Sequence, residues 1–346
     1  MLRFSAKIYV FFCKKAIFGK PNATLFISFM LSSNTRNRFF RDMAKFFRHF
    51  SKNRVFFWKY LEKPLTSRQY FSKEKIFMSE TMISKFQFEV CANSVESCRA
   101  AQLGGADRVE LCAGIPEGGT TPSYGEIKQA RRVLDEGAAQ GLKATRLHVI
   151  IRPRGGDFLY SEWELERMAE DIRICRELGA DGVVFGCLRP DGSLDTEANA
   201  RLLEATQHPT PNTQHPAITF HRAFDRCAHP EQALEELISQ GFDRILTSGQ
   251  QPTALEGIDL LKKLHEQAAG RIKILAGCGV NEENIRKIHE ATGVTEFHFS
   301  ARESRKSQMI FANPDVYMGA KGADEDTILV TSAERVRATI EQLEKL

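Results

Sequence analysis

Two short segments carry most of the chemistry in this chain: Phe88-Glu89-Val90-Cys91 and Val109-Glu110-Leu111-Cys112. Each alternates apolar and polar residues, so each is expected to form a short strand that turns a carboxylate and a thiol to one face. Carboxylates offer proton transfer, and neighbouring thiols offer soft-metal ligation. Arg152, His221 and Lys273 recur at the same phase of later apolar-polar alternations. Arg152 and Lys273 would oppose Glu89 and Glu110 as charge partners and clamp a developing oxyanion. His221 would be a second titratable group beside Glu89 or Glu110. His148 and His298 are weaker candidates. No His-x-His or His-Glu-x-x-His spacing points to zinc.

Eight elements are needed to position these groups. Strands are expected at Phe86 to Cys91, Val109 to Cys112, Leu147 to Arg152, Gly182 to Gly186, Ala217 to Arg222, Asp243 to Ser248, Arg271 to Ala276 and Glu296 to Ser300. Helical patterns alternate with them: Ser94 to Leu103, Tyr124 to Gly137, Ser161 to Leu178, Asp195 to Ala205, Pro230 to Gln240, Ala254 to Ala268, Asn281 to Thr292 and Ala333 to Leu346. Eight strand-helix pairs of this size predict an α/β protein with a closed (β/α)8 TIM barrel. A doubly wound open sheet would carry a Gly-x-Gly-x-x-Gly turn after its first strand, where this chain has Cys91-Ala92-Asn93-Ser94. In a barrel, Phe88, Leu111, Val149, Phe220, Ile274 and Phe297 would face the helices. Glu89, Cys91, Glu110, Cys112, His148, Arg152, His221, Lys273, His298 and Ser300 would point inward or rim the mouth.

The chain divides by charge. Of its 346 residues, 1–80 hold 17 Lys/Arg against 4 Asp/Glu, while the remainder holds 31 against 40. Residues 1–84 are therefore read as a basic, Phe-rich extension, disordered or leader-like, and 85–346 as the barrel. Mitochondrial targeting is one expectation for such an Arg-rich, acid-poor segment. No recognition module accompanies the charge, so specific nucleic-acid binding is not expected, and no long apolar run suggests a transmembrane span. Eight cysteines without a Cys-x-x-Cys pair fit reduced thiols in a cytosolic-type protein.

Six ordered blocks resemble the CutC copper homeostasis family: Glu89-Val90-Cys91, Gly104 to Cys112, Glu117 to Ser123, Ile151 to Phe158, Thr219 to Asp225, and Ile245 to Gly249. The resemblance covers about residues 86 to 345. It implies a (β/α)8 barrel, homo-oligomerisation and the handling of monovalent copper in the cytoplasm, with nuclear occurrence in animal members. It attaches Cu(I) to Cys91 and Cys112. Ala276-Gly277-Cys278-Gly279-Val280 departs from the family's glycine run and offers Cys278 as a third sulfur, on the far side of the barrel sequence. On this resemblance copper handling ranks above the alternative, a barrel enzyme acting on a small phosphorylated or polyhydroxy metabolite. For that alternative, the loops at Gly249, Gly277 and Gly279 would supply backbone N-H groups to an anion.

Overall fold

The computed structural model describes residues 85–207 and 216–346, apart from 312, 314, 315, 317, 320, 321 and 323. The expected basic extension over residues 1–84 lies outside the described residues. Eight parallel strands close into one barrel in sequence order: β1 (Gln87–Ala92), β2 (Arg108–Leu111), β3 (Arg146–Ile150), β4 (Gly182–Phe185), β5 (Ala217–Phe220), β6 (Arg244–Thr247), β7 (Lys273–Gly277) and β8 (Glu296–Phe299). Pairing of β1 with both β2 and β8 completes the ring, with Glu89 opposite Arg108 on one side and His298 on the other. The helices outside are α1 (Val95–Leu103), α2 (Tyr124–Ala139), α3 (Glu162–Glu177), α4 (Thr196–Thr206), α5 (Pro230–Gln240), α6 (Ile258–Ala268), α7 (Ile285–Thr292) and α8 (Ala333–Glu344). Among the described residues, no helix is long and apolar enough to cross a membrane.

Local signals explain the helix starts. The Ser94 hydroxyl accepts from the Ser97 N-H ahead of α1, and Ser161 and Glu164 form a reciprocal capping box ahead of α3. The expected starts at Ala254 and Asn281 are four residues early, because turns precede α6 and α7 there.

A short repeat sets where three of the even-numbered strands begin. Gly105-Ala106-Asp107, Gly179-Ala180-Asp181 and Gly241-Phe242-Asp243 precede β2, β4 and β6, and each glycine has a positive φ (95°, 83° and 86°). That conformation lets the chain leave a helix and turn directly into a strand without a Cβ penalty. The apolar residue buries, and each aspartate accepts the backbone N-H at the start of the preceding strand. Asp107 takes Phe88 N at 2.9 Å, Asp181 takes Leu147 N at 2.7 Å, and Asp243 takes Ile218 N at 2.7 Å. Each contact ties an odd strand to the even strand after it.

The alternation is as expected on the outer face: Phe88, Leu111, Val149, Phe220, Ile274 and Phe297 all belong to the core between strands and helices. The barrel interior is layered by height. At the N-terminal end of the strands, Arg108 donates to Glu89 and Glu296, each at 2.6 Å, and Arg244 reaches Glu296 at 3.3 Å. Above them the inward apolar side chains Ile150, Val184, Leu246 and Leu275 are buried outside the outer core cluster. The mouth lies above that layer.

One element was not foreseen. After β8, β9 (Arg302–Lys306) and β10 (Thr327–Thr331) form an antiparallel two-stranded ribbon before α8. Its first strand is polar throughout and mostly exposed, so it has no hydrophobic alternation to read.

Candidate functional site at the barrel mouth

A cavity of about 640 Å³ opens at the C-terminal ends of the strands. Cys91, Glu110, Cys112, Arg152, His221 and His298 line it from the strand ends, Arg222 and Arg226 from the segment after β5, Arg302 from β9 and Arg335 from α8. This is the end of a (β/α)8 barrel at which active sites form.

Cys91 and Cys112 meet at its floor with their sulfurs 3.4 Å apart. Cys91 is partly exposed, whereas Cys112 is buried. Arg302, the first residue of β9, donates from Nη2 to Cys91 Sγ at 3.2 Å. The hydrogen bond from Cys112 holds the Cys91 thiol well below its ordinary range against burial, with His298 and Arg302 adding to the effect. The same bond, together with burial, raises Cys112 well above its ordinary range. The two thiols are thus pushed in opposite directions, Cys91 down and Cys112 up.

His298 connects this pair to the carboxylates. Its Nδ1 bonds Glu89 Oε1 at 2.7 Å, and its Nε2 lies 3.7 Å from Glu110 Oε2. Burial would lower the imidazole, but Cys91, Glu89 and Glu110 hold it well above its ordinary value. Burial would likewise raise Glu89, yet Arg108 and His298 hold it well below the usual carboxylate range. Glu110 differs: burial pushes its carboxyl up to about 8 against the pull of His298, with Cys91 and Glu89 adding their repulsion. Among the described residues, its Oε1 has no hydrogen-bond partner. The two carboxyls are therefore shifted in opposite directions, Glu89 well below the usual carboxylate range and Glu110 up to about 8.

Three expected partnerships are corrected. Arg152 does not pair with a carboxylate. Its Nη1 donates to Glu117 O at 2.7 Å and Gly119 O at 2.9 Å, its Nη2 donates to Gly156 O at 2.8 Å, and its guanidinium stacks 4.9 Å from the Phe158 ring. It is committed to holding the loops after β2 and β3, and the cation beside Cys91 is Arg302 instead. Lys273 has the inward phase but the wrong height: it is the first residue of β7, exposed at the N-terminal end and remote from the cavity lining. The partner of Glu89 is Arg108.

His221 also changes role. The Ala223 N-H donates to its Nδ1 at 3.3 Å, which places the neutral ring's proton on Nε2. Burial, joined by Arg152, lowers its pKa to about 3, so it is a neutral hydrogen-bond donor across the working pH range and not a second titrating group. His148 is buried in the interior, where desolvation keeps it neutral well below its ordinary value.

Of the three expected glycines, only Gly279 lines the cavity. The Gly249 N-H is taken by Thr247 Oγ1 at 3.0 Å, and a side chain there would collide with Gly257 O. At Gly277 a Cβ would strike Leu246 Cδ1 at 2.5 Å, so that glycine serves interior packing. The N-H groups after β6 already hold an anion of the chain's own. Asp225 accepts from Ser248 N at 3.0 Å, Gln250 N at 3.2 Å and Arg222 Nε at 2.7 Å. Arg222 also reaches Cys278 Sγ at 3.3 Å. Cys278 is thereby separate from the group of close potential ligands, which is Cys91, Glu110 and Cys112. Arg302 and Asp225 are the residues that sequence reasoning missed. Asp225 lay within a quoted block, whereas Arg302 follows the last expected strand and carries no periodic signal.

The CutC family model matches residues 86–303 of this chain. The chain belongs to the CutC family. A CutC family protein of Bacteroides thetaiotaomicron is 59% identical over 262 residues, covering 75% of this chain and 99% of the relative. A human protein named copper homeostasis protein cutC homolog is 47% identical over 253 residues, covering 73% of this chain and 87% of the relative. Among solved structures, the putative copper homeostasis protein CutC of Streptococcus agalactiae superimposes with a TM-score of 0.56 at 38% identity, covering 62% of this chain and 98% of that one. The family match thus spans the barrel and ends inside β9.

Proposed function

We propose that the barrel mouth binds a small anionic metabolite and moves a proton on it, with Glu110 as the exchanging acid or base. The carrying observation is the Glu110 carboxyl itself, buried at the floor of a cavity rimmed by arginines, with one oxygen unpartnered and a pKa of about 8. A group poised near the working pH is what general acid-base catalysis requires. Arg302 and Arg226 supply the field that draws an anion in, Arg222 and Arg335 being paired with Asp225 and Glu282, and His221 contributes a neutral donor on the opposite wall. A phosphorylated or carboxylated compound of a few carbons fits both the volume and the charge.

The test is native mass spectrometry of the full chain purified without denaturant. The expected result is a co-purified anion that is lost in Arg302→Gln and retained in Glu110→Gln, with proton exchange on that compound abolished by Glu110→Gln. An empty cavity that takes up no anion, including inorganic phosphate, would defeat the reading.

A second reading has one observation in its favour: Cys91, Cys112 and Glu110 present ligand atoms within 4.8 Å of one another. Two sulfurs suit a soft monovalent ion, so Cu(I) as cargo fits the donor chemistry. The name of the human relative refers to copper homeostasis. The charge around the pair opposes it, because Arg302 and a protonated His298 both lie against Cys91. Anaerobic Cu(I) titration separates the readings: saturation near one equivalent, lost in the doubly substituted Cys91→Ser/Cys112→Ser chain, would favour copper.

A further inference from the structure

We infer that Cys91 and Cys112 form a reversible dithiol-disulfide couple, oxidised by a small hydroperoxide that enters through the barrel mouth. The inference is independent of the acid-base reading and uses atoms to which that reading gives no step. The two sulfurs are in contact at 3.4 Å, and a disulfide needs them at about 2.05 Å, so closure asks for little more than an ångström of approach. Both residues sit at the C-terminal ends of neighbouring strands, facing the mouth. Cys91 is one residue from the end of β1, and Cys112 follows the last residue of β2.

Gly119, at φ 93°, packs over Cys112: a Cβ there would stand 3.6 Å from Cys112 Cβ and 3.3 Å from Ile150 Cδ1. Its positive φ is the reason for a glycine at that place. Access is asymmetric in the useful sense: both residues line the cavity, and Cys91 is the more exposed of the two. Arg302 Nη2 at 3.2 Å pairs with the Cys91 sulfur and stabilises it as the attacking anion. Four other described cysteines, Cys98, Cys175, Cys187 and Cys227, are buried and do not line the cavity.

The steps balance. Cys91 sulfur attacks one oxygen of hydrogen peroxide, forming an S-O bond as the O-O bond breaks, and the departing hydroxide takes a proton to become water. Cys112 sulfur then attacks the Cys91 sulfenic acid, forming the S-S bond as the S-O bond breaks. Hydroxide leaves and takes the Cys112 proton. Each sulfur gives one electron, and the peroxide is reduced to two waters. Oxidation withdraws both thiols from the mouth at once, and a thiol reductant returns them.

The experiment treats the reduced, metal-free full chain with one equivalent of hydrogen peroxide and maps its peptides. The expected product is a Cys91-Cys112 cross-linked peptide, lighter by about 2 Da than the two reduced peptides together and restored by dithiothreitol. Cys112→Ser should stop at a sulfenic acid on Cys91 that dimedone traps, Cys91→Ser should yield neither product, and Arg302→Gln should slow the first step. A dimedone adduct confined to Cys278, or a Cys91 that oxidises without ever linking to Cys112, would overturn the inference.

Discussion

The two ends of the barrel use the same residue types to opposite effect. At the N-terminal end, Arg108 is fully buried between Glu89 and Glu296, and Arg244 shares Glu296. At the C-terminal end, Arg302 meets a sulfur, Glu110 keeps one oxygen unpartnered, and a cavity lies above both. The lower ring pairs its carboxylates with its own arginines and is buried, so its role is structural. The upper ring leaves charges available to an incoming molecule. Strand phase is common to both, and height along the barrel axis separates them.

The sharpest way to break this comparison is at the lower ring. Glu89→Ala leaves Arg108 and His298 without their shared carboxylate in a dry interior, and the expected loss is about 3–5 kcal/mol in urea unfolding. A loss below 1 kcal/mol would mean that water reaches the lower ring, which would erase the contrast. Asp243→Ala is next. It removes the acceptor of the Ile218 N-H, at an expected cost of about 1–3 kcal/mol, and Asp181→Ala should match it because the two aspartates occupy equivalent repeats.

The upper ring is tested by pH. Glu110 has a folded-state pKa raised to about 8 from an ordinary carboxylate value, so the folded state binds the extra proton between them. Its contribution to stability is full at low pH and declines as pH rises from about 4.5 through about 8. Glu110→Gln should flatten that decline in denaturant midpoints measured across the same window, and an unchanged slope would place the titrating group elsewhere. The smallest expected effect is that of Lys273→Ala, within about 0.5 kcal/mol and with no change in anion binding, because its side chain is exposed at the lower end. A marked loss of binding in that variant would restore it to the site.

Phase was legible in the sequence because the period of a strand is two whatever the strand's place in the barrel. Glu89, Cys91, Glu110, Cys112, His148 and His298 all turned inward on that basis. Height was not legible, since it depends on the register between strands. Lys273 pairs with Arg244 at the bottom, and Glu296 pairs with Leu275 one step further on. Arg108 fell just before the expected strand Val109 to Cys112, and Arg244, though inside the expected strand Asp243 to Ser248, was not singled out. The ribbon β9-β10 left no trace because Arg302 to Lys306 has no apolar face, and the cation that contacts Cys91 was hidden with it. The interior position of an arginine can be read from one strand alone, but its partner requires two.

The Asp225 carboxylate that fills the N-H groups after β6 makes the mouth lopsided. A visiting anion finds that quarter of the rim already occupied by an anion of the chain's own, held by Ser248, Gln250 and Arg222. The positive potential is left toward Arg302, on the side where Cys91 and Glu110 lie, because Arg335 is paired with Glu282. Under the proposed function, a ligand with one charged end would enter with a preferred heading, its charged end toward the ribbon and its neutral end toward His221. Its orientation would be fixed before any contact specific to its reacting atoms is made.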